Sequence, residues 1–227
     1  FILGEQDSGT ERAPVIYRAW PGEEVALTGA HAITDFAPFK GEILQADAGT
    51  RGFSKKRPRQ LFLDGRRQEM ARYPNVDPAF PHTGGYAYAS GKIVPRYASL
   101  DEDEPLNTIL VRESDLRIWA HPEDGEVDTS DRFNWNNNVS GIASMDHKTR
   151  VLTMKKNARH AVRAGCRYLV RNLFEELDAP GEWFLDPRTS VLYYWPSAPL
   201  REHSVTLVKV QELVKLSRVS HVVFRGL

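Results

Sequence analysis

The chain has 227 residues, with 30 basic and 30 acidic side chains, an apolar content of 41% and an aromatic content of 10%. This composition is typical of a folded globular protein and excludes an intrinsically disordered chain. Because the charges balance and no apolar run approaches the roughly 20 residues of a membrane helix, neither nucleic acid nor a membrane is expected as a partner.

Short strand patterns separated by turns begin at the first residue and predict an all-β architecture. Apolar runs at residues 1–3, 13–20 and 24–29 are separated by polar or Pro-Gly connections. One turn of helix is predicted within residues 172–177, where three apolar side chains share a helical face. The chain also stops on a strand pattern at residues 222–227, so we expect it to be a piece of a longer protein.

Antiparallel hairpins are predicted in the middle of the chain. Asp64-Gly65 is a strong two-residue turn signal between apolar strands. Two further hairpins are predicted with turns at residues 146–149 and 186–190, the second with a heavy load of aromatic residues. Residues 76–91 form a long loop rich in Pro, Gly and Tyr, and this loop is a candidate wall of a binding cleft.

Two charged loops are interpreted as solvated turns. The basic loop at residues 49–58 contains Lys-Lys-Arg at 55–57, which is too narrow a basic surface for nucleic-acid recognition. The acidic run at residues 101–105 lacks the alternating oxygens and the glycine of a Ca²⁺ loop.

The histidines are scattered and Cys166 has no second cysteine, so we expect no metal site, and no phosphate-binding motif indicates a cofactor.

The two ends of the chain share a rhythm of short strand, turn and short strand ending near a glycine. Parallel β-helices are built from coils of this kind, of which roughly three or more must stack for stability. We therefore predict β-helix coils at residues 1–32 and a return to a β-helix coil at residues 200–227. Between them, residues 33–199 are predicted to form an inserted antiparallel β-sandwich or barrel-like domain.

Motifs along the whole chain resemble bacterial proteins with right-handed parallel β-helix repeats. They are Asp-Ser-Gly-Thr at 7–10, Ala-Arg-Tyr-Pro-Asn at 71–75, Arg-Tyr-Leu-Val-Arg-Asn at 167–172, Leu-Asp-Ala-Pro-Gly-Glu-Trp at 177–183, Leu-Tyr-Tyr-Trp-Pro at 192–196 and Val-Ser-His-Val at 219–222. The run at 178–183 is the most specific of them. The group is similar to β-helix glycoside hydrolases with α-L-fucosidase, xylanase and β-xylosidase activities, some with a β-sandwich that interrupts the helix.

This resemblance implies the N-terminal part of a secreted or periplasmic carbohydrate-active enzyme. Its partners would be an oligo- or polysaccharide and the remainder of the β-helix. The catalytic carboxylates of such enzymes are expected on later coils, beyond residue 227. The fragment by itself is therefore expected to be inactive, and the resemblance transfers no catalytic role to a residue of this chain.

Two carboxylates within the chain are nevertheless candidates for catalysis. Glycoside hydrolysis needs two carboxyl groups facing the scissile bond, and one of them needs a raised pKa. Glu182 beside Trp183 fits the acid, and Asp186 is a second candidate. The alternative interpretation is that Glu182 points to solvent from a strand whose Trp183 points inward, while Asp178 and Asp186 order turns.

Sugar binding uses flat aromatic faces beside polar side chains, and two clusters fit this chemistry. Trp135 lies next to Asn134 and Asn136, and Tyr73 lies between Arg72 and Asn75. Two tyrosines of the long loop, at positions 86 and 88, are a third possibility. Ordinary packing of these aromatic residues in the core is the alternative.

Three functions remain open from the sequence. The first is a part of a β-helix glycoside hydrolase that shapes a glycan cleft. The second is a non-catalytic carbohydrate-binding or structural module. The third is a polysaccharide lyase, which would use a Lys or Arg base and often Ca²⁺.

Overall fold

The computed structural model describes residues 1–53, 58–95, 98, 104–131, 133 and 135–227. The basic run at 55–57, the acidic residues 101–103 and Asn134, which the sequence had singled out, lie outside this part of the chain.

Within the described residues the chain is all-β, as predicted. The strands are β1 (Ile2–Leu3), β2 (Val15–Arg18), β3 (Ala30–Ile33), β4 (Ala37–Lys40), β5 (Ile43–Asp47), β6 (Leu61–Leu63), β7 (Arg66–Met70), β8 (Arg72–Tyr73), β9 (Ala87–Tyr88), β10 (Thr108–Leu110), β11 (Glu126–Ser130), β12 (Asn137–Asp146), β13 (Val151–Met154), β14 (Arg167–Arg171), β15 (Glu182–Leu185), β16 (Val191–Tyr194), β17 (Val205–Val208), β18 (Lys215–Leu216) and β19 (Val222–Arg225). Short 3-10 turns cover Glu5–Asp7, Gly49–Arg51, Glu113–Asp115, Pro122–Asp124, Phe174–Glu176 and Leu200–Glu202. The turn of helix predicted within residues 172–177 is confirmed by one of these. None of the helices in the described residues is long and apolar enough to span a membrane.

The three predicted hairpins are confirmed. They are β6–β7, β12–β13 and β15–β16, and each pairs antiparallel. The first closes tightly because Asp64 and Gly65 both have positive φ, at 48° and 74°. Aspartate and glycine tolerate this conformation better than other residues, which is why the dipeptide is a reliable hairpin signal.

An eight-stranded sheet with the order β3-β17-β6-β7-β15-β16-β5-β4 curls into a half-barrel. All its neighbours pair antiparallel except β7 and β15, which run parallel. It buries a core that includes Phe53, Leu61, Trp183, Leu192 and Leu207. Burial of such large apolar side chains stabilises the sheet by about 1.5–3 kcal/mol per side chain.

A seven-stranded antiparallel sheet has the order β10-β13-β12-β11-β14-β8, with β9 also pairing with β14. It buries a separate core that includes Ile109, Val127, Ile142, Leu152 and Val170. The sequence predicted one inserted sandwich or barrel-like domain. Each large sheet has its own core, and the single inserted domain stays a prediction.

The two large sheets join where the chain passes from β7 to β8. The backbone N–H of the fully buried Ala71 donates to the carbonyl of Trp183 at 2.8 Å, and its carbonyl accepts from the N–H of Asn172 at 2.8 Å. An ion pair at 2.6 Å between Arg59 and Glu126 also bridges the sheets. These contacts fix the edge of the seven-stranded sheet against the half-barrel.

The two ends of the chain form small parallel pairs, β1 with β18 and β2 with β19. A methyl group added at Gly9 would lie 2.7 Å from the carbonyl oxygen of His221, so only glycine allows this approach. Within the described residues the pairs do not build a β-helix, and the β-helix stays a prediction. The domain boundaries also stay a prediction. β17 lies inside the eight-stranded sheet and extends that sheet past the predicted boundary at residue 199.

Candidate functional site

A polar cleft lies on the face of the seven-stranded sheet that is opposite its core. Side chains alternate along a strand, so Val127 and Thr129 of β11 face inward, whereas Asp128 and Ser130 face the cleft. The register then places Asn137 of β12 directly opposite Ser130. Three strands therefore supply the floor, because β11 pairs with β14 on its other side.

The cleft has a volume of about 280 Å³. Its lining is mostly polar and consists of Tyr86, Asp128, Ser130, Trp135, Asn136, Asn137 and Arg167. A volume of this size is just below the range of small-molecule sites, which is roughly 300–1,000 Å³, and fits a ligand of few rings.

One wall of the cleft is an arginine stacked on a tyrosine. The guanidinium carbon of Arg167 lies 4.7 Å from the centre of the Tyr86 ring, within the range of a cation–π interaction. The Nε of Arg167 also donates to the hydroxyl oxygen of Ser130 at 3.0 Å. Two independent contacts thus hold this guanidinium in one orientation.

The cleft is also lined by an exposed tryptophan on a loop that a buried carboxylate organises. Asp131 is 1% exposed and accepts from the N–H of Phe133 at 3.0 Å and from Nδ2 of Asn136 at 2.6 Å. Burial opposes ionisation of Asp131, but these bonds and the N–H of Trp135 outweigh it and lower the pKa of its carboxyl. The loop presents Trp135, which is 77% exposed, with its ring 5.0 Å from the ring of Phe133.

The floor of the cleft carries one carboxylate, Asp128, which lies near the cationic Arg171. Asp128 accepts from Nδ2 of Asn137 at 3.3 Å and lies 3.6 Å from Nη2 of Arg171. Arg171 also pairs with Glu126, which pairs with Arg59 as well. Burial would raise the pKa of Glu126, but the two arginines outweigh burial and lower it.

Some of the residues predicted to bind sugar line the cleft, and others do not. Trp135 and Asn136 line the cleft, as does Tyr86 of the long loop. Arg72 is not among the lining residues; its Nε donates to the carbonyl of Pro74 at 2.9 Å and its guanidinium carbon is 6.0 Å from the centre of the Tyr86 ring. Because its donors bind backbone carbonyls, Arg72 supports the loop that carries Tyr86.

Tyr73 and Asn75 lie away from the cleft. The hydroxyl of Tyr73 donates to Asp115 at 2.9 Å, and its ring packs against the core and under Arg117 at 4.0 Å. Nδ2 of Asn75 donates to Asp178 at 2.8 Å. Both side chains therefore bind other residues of the chain outside the cleft.

Glu182 requires a correction. The sequence offered either a solvent-facing side chain or an acid beside an aromatic wall, but the residue is 3% exposed and does not point to solvent. Its Oε2 accepts from the N–H groups of Asp178 and Ala179, both at 3.1 Å. Burial nevertheless dominates and raises the pKa of Glu182 to about 7. Glu182, rather than Asp178, orders the Pro-Gly turn.

Asp186 also has a local contact, since it accepts from the N–H of Arg188 at 2.8 Å within the hairpin turn. Asp186 follows Glu182 by four positions of extended chain, which is about 13 Å along the strand. Paired glycosidase carboxyl groups are about 5–9.5 Å apart. These two residues therefore do not have the arrangement of a catalytic pair.

Four cleft residues were not predicted from the sequence: Asp128, Ser130, Asn137 and Arg167. The polar–apolar alternation of residues 126–130 was an available signal that one strand has a polar face. No signal in the sequence, however, indicated that β11 pairs with β12 and β14. Within the described residues no group of three or more His, Cys, Asp or Glu side chains is arranged to hold a metal ion.

Comparisons with known proteins give one informative match. No protein-family model matches the chain, and no curated protein matches it in sequence. Among solved structures, a chain described as a glycoside hydrolase superposes with a TM-score of 0.71 at 20% identity. The match covers 100% of this chain and 40% of the glycoside hydrolase, so the chain spans well under half of that protein. The likeness shows that the two share a fold over this region.

Proposed function

We propose that this chain is the glycan-binding part of a carbohydrate-active enzyme of the glycoside hydrolase type, and that the polar cleft binds the sugar. The observation that carries the proposal is Trp135, an exposed flat ring beside a floor of amide, hydroxyl and carboxylate groups. Large exposed aromatic side chains next to convergent polar groups are typical of binding sites. The fold shared with part of a glycoside hydrolase supports carbohydrate as the ligand class.

We further propose that the catalytic carboxylates lie on β-helix coils that follow this chain. The parallel pairing of both chain ends supports this, because β1–β18 and β2–β19 have the strand direction of stacked coils. The local backbone contacts of Glu182 and Asp186 also support it, since they leave neither residue paired across a cleft. A polysaccharide substrate cannot cross a membrane, so we propose a secreted or periplasmic location.

A binding measurement with matched tryptophan variants tests the cleft. Trp135→Ala removes the aromatic wall, whereas Trp20→Ala removes a tryptophan that is 71% exposed elsewhere. We expect oligosaccharide binding, found by a glycan array and measured by calorimetry, to fall about tenfold or more for Trp135→Ala. It should be unchanged for Trp20→Ala. Equal loss in both variants, or equal retention, would contradict a glycan site at this cleft.

Glycosidase assays test where the catalytic groups are. We expect no turnover of aryl glycosides by the 227-residue chain, and turnover by a longer protein that contains it. Turnover by the chain alone, abolished by Glu182→Gln, would instead make it the catalytic unit.

A further inference from the structure

The charges around the cleft do not cancel within the described residues. Asp128 lies 3.6 Å from Arg171, Glu126 pairs with Arg171 and Arg59, and Arg72 lies 3.8 Å from Glu69. Arg167 has no carboxylate partner in the described part of the chain, and its contacts are with the ring of Tyr86 and the hydroxyl of Ser130. Arg167, the cation that borders the cleft, thus has no ion pair within the described residues.

The fixed geometry of Arg167 leaves its terminal nitrogens available. Nε is occupied by Ser130, and the guanidinium carbon lies 4.7 Å from the centre of the Tyr86 ring, so the side chain is held before any ligand arrives. No acceptor for Nη1 or Nη2 of Arg167 is found among the described residues. A guanidinium whose planar fork is held in place is suited to bidentate binding of a carboxylate.

The nearby carboxylate of Asp128 does not prevent a ligand carboxylate from binding to Arg167. Asp128 is paired in register with Leu169, which is two residues from Arg167, or about 6.6 Å along β14. Its contacts with Asn137 and Arg171 already offset its charge. A ligand carboxylate on Arg167 would therefore gain the arginine contact with limited repulsion.

We propose that the cleft prefers a sugar that carries a carboxylate, a uronic acid, with its ring against Trp135 and its carboxylate on Arg167. This inference rests on the proposed function, because it names the kind of sugar bound at the same cleft. The small volume of the cleft suits a single acidic residue of an oligosaccharide.

The test compares sugars that differ only at the sixth carbon. The probes are methyl glucuronide and methyl glucoside, with the corresponding galacto pair, titrated into the 227-residue chain by NMR. In the preferred configuration we expect the uronic acid to bind about tenfold or more tightly than the neutral sugar, as expected for a hydrogen bond to a charged group. Raising the salt concentration should narrow this difference.

Variants separate this inference from the proposed function. Arg167→Gln should abolish the preference for the acid while neutral-sugar binding persists, and Arg167→Lys should retain part of it. Trp135→Ala should weaken both sugars. If the unaltered chain binds acidic and neutral sugars equally, the inferred preference for a uronic acid is wrong, but the proposed glycan site is retained. Absence of binding by every probe, together with no binding of any oligosaccharide on the glycan array, overturns both. Thermal unfolding of each variant checks that the sheet remains folded.

Discussion

Replacement of Glu182 by glutamine isolates the titration of a buried carboxyl group. Two effects compete at this position. The N–H groups of Asp178 and Ala179 favour the ionised carboxylate, whereas burial favours the protonated acid. Burial wins and raises the pKa from 4.5 to about 7. At 1.36 kcal/mol per pKa unit, ionisation of Glu182 costs the folded state about 3 kcal/mol at most.

The sign of the pH dependence follows from proton binding. Between about pH 4.5 and pH 7 the unfolded chain loses the proton of Glu182 while the folded chain keeps it, so the free energy of unfolding falls as pH rises. Below pH 4.5 both states are protonated and the group contributes no penalty. Above pH 7 both are ionised, and the penalty is constant.

Urea unfolding at several pH values measures this effect. Glu182→Gln keeps an oxygen that can accept the two backbone bonds but cannot ionise. We expect its stability relative to the unaltered chain to increase by up to about 3 kcal/mol between pH 4 and pH 8. Glu69→Gln is the matched control, because Glu69 occupies the paired position on β7 and its side chain is 48% exposed. It should show no such increase.

Two results would refute the reasoning. A stability difference between Glu182→Gln and the unaltered chain that is the same at pH 4 and pH 8 would mean that the carboxyl is not perturbed. A variant that becomes relatively less stable as pH rises would mean that the backbone hydrogen bonds outweigh burial.

Three further substitutions have expected outcomes. Gly9→Ala would place a methyl group 2.7 Å from the carbonyl oxygen of His221, so we expect faster hydrogen exchange in β2 and β19. Asp131→Asn removes a buried anion that accepts three bonds in its loop, and we expect a loss of about 1–3 kcal/mol in stability and weaker sugar binding. Trp119→Phe removes the donor that lies 2.6 Å from the buried Glu176, and we expect a similar loss of stability with a further rise in the pKa of Glu176.

Each of these has a control. Ser8→Ala removes a hydroxyl that accepts from the N–H of Ser220 at 3.1 Å, and it should affect hydrogen exchange at the chain ends less than Gly9→Ala. Asp146→Asn alters an exposed turn carboxylate and should leave sugar binding unchanged. Trp119→Phe should cost less in a Glu176→Ala background, because that background already lacks the acceptor of the hydrogen bond. Additive effects would mean that their hydrogen bond contributes nothing.

The hairpins could be predicted because their signals are local. Asp64-Gly65 closes β6–β7 through its own backbone preferences, and no distant residue is needed. Trp135 and Asn136 could also be predicted from the sequence as sugar-binding candidates, because an aromatic residue among asparagines is unusual in a strand. The sequence also makes the long loop a candidate cleft wall, and Tyr86 of that loop lines the cleft.

The position of Arg167 could not be predicted in the same way. It lies 37 residues from Ser130, and only the antiparallel pairing of β11 with β14 brings the two side chains together. In the sequence Arg167 opens an ordinary strand pattern. Register between distant strands depends on the burial of whole faces, which a local pattern does not specify.

The amino-acid sequence by itself determined the all-β class and the three hairpins, because turn geometry and side-chain alternation act between near neighbours. The tertiary structure decided which faces are buried. It placed Glu182 inside, since β15 lies between β7 and β16 and the turn before it folds over its carboxylate. It also assembled the polar cleft from three strands and two loops, because pairing between strands, and not their order in the chain, sets which side chains meet.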